Sequence, residues 1–139
     1  MADPFNLQRF VDAQAEVYDR VRAELRAGAK RGHWIWFIFP QHSALGHSQT
    51  AKHFGIGSLD EARAYLAHPV LGPRLRECAR LVSAVRGRTI NAMFGSPDDL
   101  KLRSSMTLFA EATDDDADFT AVLDKYYGGE PDPRTLDLL

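Results

Sequence analysis

Hydrophobic positions recur at helical spacing along most of the chain, with polar residues filling the faces between them. Leu7, Val11, Gln14, Tyr18, Val21 and Leu25 fall at alternating steps of four and three residues. Asp3-Pro4 offers a cap and a first-turn proline ahead of them, and Gly28 stands where such a helix would end. The pattern predicts an amphipathic helix broken near its start. Ser58-Leu59-Asp60-Glu61 has the form of a capping box and opens a short helix to residue 67, stopped before His68-Pro69. Leu75, Cys78, Ala79, Val82 and Val85 make the inner stripe of a longer helix over about 70–86, with Arg74, Arg76, Arg80 and Arg86 mainly outside and Gly87 ending it. Thr89 can cap another short helix through residue 94. Ser96-Pro97-Asp98-Asp99 then combines a cap, a proline and two acids at the positive end of a helix reaching about residue 112. The acidic turn Asp114-Asp115-Asp116 feeds a helix over 119–127, and 135–139 form a last turn.

One stretch escapes this periodicity. Trp34-Ile35-Trp36-Phe37-Ile38-Phe39 has strand-like composition and is closed by Pro40, yet no other segment offers it a partner strand. It is read as a buried segment, irregular or helical for one or two turns. The predicted fold is therefore all-α: a compact single domain over 1–139, with about six short helices and an irregular aromatic N-terminal loop segment.

Composition narrows the class. At 139 residues, 45% hydrophobic and 26% charged, the chain can bury a core without staples. Seventeen basic and nineteen acidic residues leave a net charge of −2, which gives no reason to expect nucleic acid as a partner. The sign is unevenly spread. Residues 1–88 hold 13 basic and 8 acidic side chains, net +5, and residues 89–139 hold 4 and 11, net −7. Mutual attraction of the two ends within one domain is the simpler account, and a basic face for an anionic ligand the sharper one. A single cysteine, Cys78, excludes an internal disulfide and fits a reducing compartment. Met1-Ala2-Asp3-Pro4-Phe5 has no secretory character, and the longest apolar run, from Trp34 to Pro40, falls far short of the ~20 residues of a membrane helix. A cytoplasmic protein, off the membrane and either a monomer or a small homo-oligomer, is expected.

Two constellations could carry chemistry. The first is Gly32-His33-Trp34 through Gln41, where both tryptophans lie beside a histidine and a glutamine, materials for a pocket that holds a flat ligand. Ile35, Phe37, Ile38 and Phe39 read as core. For Trp34, Trp36 and Gln41, core and pocket both stay open, because a buried indole N–H or amide must find a partner. The second is Lys101-Leu102-Arg103-Ser104-Ser105-Met106-Thr107. Helical offsets of three and four put Lys101, Ser104 and Ser105 on neighbouring parts of one surface. Two adjacent serines suit a helix interior only when their hydroxyls bond to something. That something is a ligand phosphate or ribose beside Lys101, or, on the structural account that weighs more, the preceding turn or a closely packed helix. No metal site is predicted, since His42, His47 and His53 are spaced by five and six. No cofactor is predicted either: Gly55-x-Gly57 lacks the third glycine of a dinucleotide fingerprint, and no Walker loop occurs.

His33-Trp34-Ile35-Trp36-Phe37-Ile38-Phe39-Pro40-Gln41 followed by Leu45-Gly46-His47-Ser48 resembles a bacterial family known as domain of unknown function 1810. The likeness continues in Glu61 to Leu75, in Phe94 to Phe109 and in the ending Gly128 to Leu139, so it covers almost the whole chain. It implies a compact all-helical domain without assigned activity. The order of features, from aromatic loop to a Lys/Met-bearing helix and a closing Leu-Leu, also looks like the NADAR family. That likeness implies NAD or ADP-ribose chemistry at N-glycosidic bonds; the acidic motifs of that family are not matched, so no catalytic residue carries over.

The expected function is a pocket for a small anionic metabolite, nucleotide or ribose-phosphate-like. Trp34 or Trp36 would stack on a ring, Gln41 and His33 would orient polar groups, and Lys101, Ser104 and Ser105 would meet the anion. Its enzymatic form is N-glycosidic hydrolysis, with His33 as general acid or base. The alternatives are a non-catalytic interaction module that docks a partner through the aromatic segment, and a purely structural protein.

Overall fold

Caps and close backbone approaches set the element boundaries of the chain. In a computed structural model describing residues 3–139, ten α-helices and no β-strand are found among the described residues. Met1 and Ala2, the first of the residues read for a targeting signal, lie outside the described residues. Six helices have seven or more residues: α1 (Gln8–Gln14), α2 (Tyr18–Ala27), α5 (Leu59–Ala67), α6 (Leu71–Ala84), α8 (Asp98–Glu111) and α9 (Ala117–Tyr126). Four are single turns: α3 (Ile35–Ile38), α4 (Gln49–His53), α7 (Ile90–Phe94) and α10 (Pro133–Asp137). None is long and apolar enough to cross a membrane.

The local signals act at several boundaries. Ser58 Oγ accepts from the Glu61 amide at 3.1 Å and Thr89 Oγ1 from the Ala92 amide at 3.0 Å, fixing the starts of α5 and α7. The capping box is half used. Glu61 turns its carboxylate to the Gly57 amide (3.0 Å) and to Arg9 (2.8 Å), whose guanidinium also binds the carbonyls of Phe5, Asn6, His53 and Gly55. Ser96 does not cap α8; Pro97 takes the cap position and the helix begins at Asp98. The first helix breaks at residues 15–17 instead of near its start, because its two halves have different partners: α1 lies against α3 and α2 against α6. Gln14, at the break, is buried and donates its amide to the Phe37 carbonyl (2.7 Å) and the Tyr65 hydroxyl (3.2 Å).

At the α5–α6 corner, a Cβ on Gly72 would sit 2.1 Å from the Leu66 carbonyl oxygen, so the two helices meet backbone to backbone there. Helix α8 is the hub, with residues 104–109 buried without interruption and α3, α5, α7, α9 and α10 packed around it. Tyr65 packs against Phe10 and Phe109, and Phe109 against Phe119, while Trp34 meets Phe39 and Phe94. The two halves of opposite charge are bridged by Lys30–Asp98, Arg76–Asp118 and Arg80–Asp118.

Candidate functional site

The aromatic run is one turn of helix held from both sides. α3 closes through the Ile38 and Phe39 amides on the Trp34 and Ile35 carbonyls, and Pro40 turns the chain out. Its register sends the two tryptophans to different places. Trp34 is 2% exposed, and its indole N–H donates to Glu24 Oε1 at 3.0 Å. The same oxygen accepts from the Arg31 and Gly32 amides at 2.7 and 2.9 Å. Burial opposes charge on Glu24, but these three donors and nearby Lys30 hold its carboxyl below the ordinary value. Trp36 is half-buried, with an indole nitrogen that has no partner, and lies beneath the Lys101 ammonium, 5.2 Å from its ring centre.

After Pro40 the chain makes a loop pinned at both ends. Gln41 O accepts from the Ile56 amide (2.9 Å) and Ile56 O from the Ser43 amide (2.8 Å). Ser48 Oγ caps α4 through the Ala51 amide at 3.1 Å. Gly55 permits the closure: a Cβ there would fall 2.5 Å from Ser43 Cα.

This loop faces α8 and α10 across a cavity of about 340 Å³. Gln41, Leu45, Gly46, His47, Ser48 and Ala51 form one wall; Pro97, Leu100, Lys101, Ser104 and Arg134 form the other. A crevice of about 10 Å³, the room one water occupies, lies beside it and shares Gln41, Ala51 and Lys101 with it, adding Ile35, Trp36, Phe39 and Phe54. Residues from 33–41 and 101–107 thus meet, through Gln41 and Trp36 on one side and Lys101 and Ser104 on the other.

Other candidates lie elsewhere. Trp34 belongs to the core, and Ser105 is fully buried with its hydroxyl unpaired. His33 is exposed and lines neither the cavity nor the crevice. Ser104 reaches the wall, yet its hydroxyl is held 2.6 Å from Asp132 Oδ2. The inward packing of Trp34, Ile35, Ile38 and Phe39 leaves the aromatic run no broad exposed face.

The wall is cationic. Its cations, Lys101 and Arg134, come from two separate helices, and no Asp or Glu lines the cavity. Lys101 has one distant carboxylate, Asp98 Oδ1 at 3.9 Å, while the other oxygen of Asp98 is taken by the buried Lys30 at 2.7 Å. The guanidinium of Arg134 makes no ion pair among the described residues, and neither does the Gln41 amide find a side-chain hydrogen bond. The sequence names His47 only as a rejected metal ligand and within the family likeness, and it does not point to Arg134 or His47 as cavity residues. Neither sits in a periodic stripe, and the only available signal for Arg134 was its place just after the Asp132-Pro133 helix start.

A chain of related structure is known. The fold matches the crystal structure of the conserved hypothetical protein Rv1873 from Mycobacterium tuberculosis at 1.38 Å, with 64% sequence identity and a TM-score of 0.98, over 99% of this chain and 98% of that one. No curated protein matches the chain. The model of a family described as protein of unknown function (DUF1810) matches residues 4–139. With the match running over nearly its whole length, the chain belongs to the DUF1810 family.

Proposed function

We propose that the cavity between the 41–51 loop, α8 and α10 binds a small anionic metabolite of ribose-phosphate type. The observation that carries this reading is the sign of the wall: Lys101 and Arg134 face a cavity without a lining carboxylate, and each lacks a close ion pair of its own. A charged group left so placed favours an anion, and a charge-assisted hydrogen bond is roughly twice as strong as a neutral one. Size points the same way. At about 340 Å³ the cavity lies at the small end of the ~300–1,000 Å³ range of ligand sites, suited to a pentose phosphate more than to a whole dinucleotide. Gln41 would meet the hydroxyls and Trp36 would flank the ligand through Lys101. The likeness in feature order to the NADAR family supports ribose-phosphate chemistry as the class.

Binding is the part of this reading that the geometry favours. N-glycosidic hydrolysis needs an acid or base beside the scissile bond; His33 lies outside the cavity, and His47 is the one imidazole that lines it.

Calorimetry with ribose 5-phosphate, AMP, ADP-ribose and inorganic phosphate tests the proposal. Binding of a sugar phosphate is expected, weakened about tenfold or more by Lys101→Ala or Arg134→Ala, with unphosphorylated ribose bound far more weakly. Absence of binding across the whole panel overturns it.

A further inference from the structure

We infer that Asp132 is a positioning residue for this site, holding Arg134 at the cavity and fixing the hydrogen-bonding sense of Ser104. The inference rests on the metabolite-binding reading above. α10 has only five residues and would not persist alone, so something must tie it to the body of the protein. Asp132 supplies the tie. Its Oδ2 accepts from Ser104 Oγ at 2.6 Å and Thr135 Oγ1 at 2.7 Å, its Oδ1 accepts from the Arg134 amide at 3.2 Å, and its own amide donates to Thr107 Oγ1 at 2.8 Å. The approach to this knot is strapped to α8 as well: Arg103 donates to the carbonyls of Glu130 and Pro131 at 3.1 and 3.0 Å. Asp132 is buried, so leaving any of these partners without its bond carries a desolvation cost.

Two consequences reach the cavity. Arg134 is placed by a cap whose acceptor is the Asp132 carboxylate, two residues away. Ser104 has one hydroxyl proton, and the shorter of its two bonds directs it to Asp132, the other being to Leu100 O at 3.2 Å. Ser104 therefore has no proton for an anion, and anything it contacts in the cavity must donate to it. The anionic charge falls to Lys101 and Arg134.

The test is a double-mutant cycle on ribose 5-phosphate affinity, with Asp132→Asn, Arg134→Ala and the pair, in the full chain. A residue acting through Arg134 adds nothing once Arg134 is gone. Asp132→Asn is expected to weaken binding about fivefold to tenfold, and the pair to bind no more weakly than Arg134→Ala alone. Weakening that multiplies across the pair, or unchanged affinity in Asp132→Asn, overturns the inference while leaving the binding reading intact. Failure of the unaltered chain to bind overturns both. Should Asp132→Asn not fold, Thr135→Val removes one donor to the same carboxylate and enters the same cycle with the same expectations.

Discussion

Replacing Glu24 by Gln should destabilise the protein by about 2–3 kcal/mol at pH 7. One oxygen, Oε1, accepts from two amides and the Trp34 indole at 2.7–3.0 Å. In Gln the oxygen keeps these neighbours but loses its charge. A hydrogen bond to a charged group contributes ~1.5–3 kcal/mol and a neutral one ~0.5–1.5, so three bonds at about 1 kcal/mol each set the upper end. Water reaching the remaining amide nitrogen offsets part of it. Glu24→Ala, which leaves three donors without an acceptor, should lose more, roughly 4 kcal/mol or above. Urea denaturation followed by circular dichroism gives the difference. The pH dependence gives a second check with a definite sign. Folding lowers the Glu24 pKa below its ordinary 4.5, so the unfolded chain binds more protons in that range and the carboxylate's contribution is complete above about pH 5. It is lost as pH falls below 4.5 through the folded pKa, and the gap between wild type and Glu24→Gln should close in the same window. A loss below 0.5 kcal/mol at pH 7, or a gap that widens on acidification, would refute the account of Glu24 as the anchor of the aromatic turn.

Two further outcomes follow from close contacts. Gly55→Ala places a Cβ 2.5 Å from the Ser43 backbone, so it should cost about 1–3 kcal/mol in a thermal or urea melt and also weaken sugar-phosphate binding, since the cavity wall must shift; equal stability and affinity would show that the loop closure tolerates displacement. Burial pushes the Cys78 thiol up to about 12, so an aromatic disulfide reagent should leave the native protein unmodified and react only at the rate of unfolding, in contrast to rapid labelling of an accessible thiol.

Much of the helical framework could be read from local chemistry. Ser58 and Thr89 cap because a hydroxyl three residues before an amide needs no tertiary help, and the inner stripe of α6 is a matter of periodicity. What escaped depends on contacts far apart in sequence. Glu61 abandons half of its capping box for Arg9, a partner 52 residues away, and the break between α1 and α2 answers to two different packing partners. The site shows the same division. Lys101 and Gln41 stood out as polar groups beside aromatics, but which tryptophan lies by the cavity depends on the rotation of a single helical turn, fixed by Glu24. Ser104 and Ser105 are adjacent and indistinguishable in pattern; one is tied to Asp132 and the other is buried with no partner.

The local charge of the cavity opposes the charge of the segment that builds most of one wall. Residues 89–139 carry a net −7, yet Lys101 and Arg134, two of their four cations, are the ones that line it. The other two are committed to backbone carbonyls, Arg103 to Glu130 and Pro131 and Lys125 to Ser83 and Val85. Two acids behind the wall are already engaged by protein groups: Asp98 bonds the buried Lys30 and leaves its other oxygen 3.9 Å from Lys101, and Asp132 is held by hydroxyls and an amide. Screening within about 8–10 Å limits what distant carboxylates contribute in physiological salt, so the groups at the wall determine the sign a ligand meets. An anion entering there encounters attraction at short range on a chain whose overall charge is negative. Its affinity should therefore depend on the placement of Lys101 and Arg134 and only weakly on the total charge.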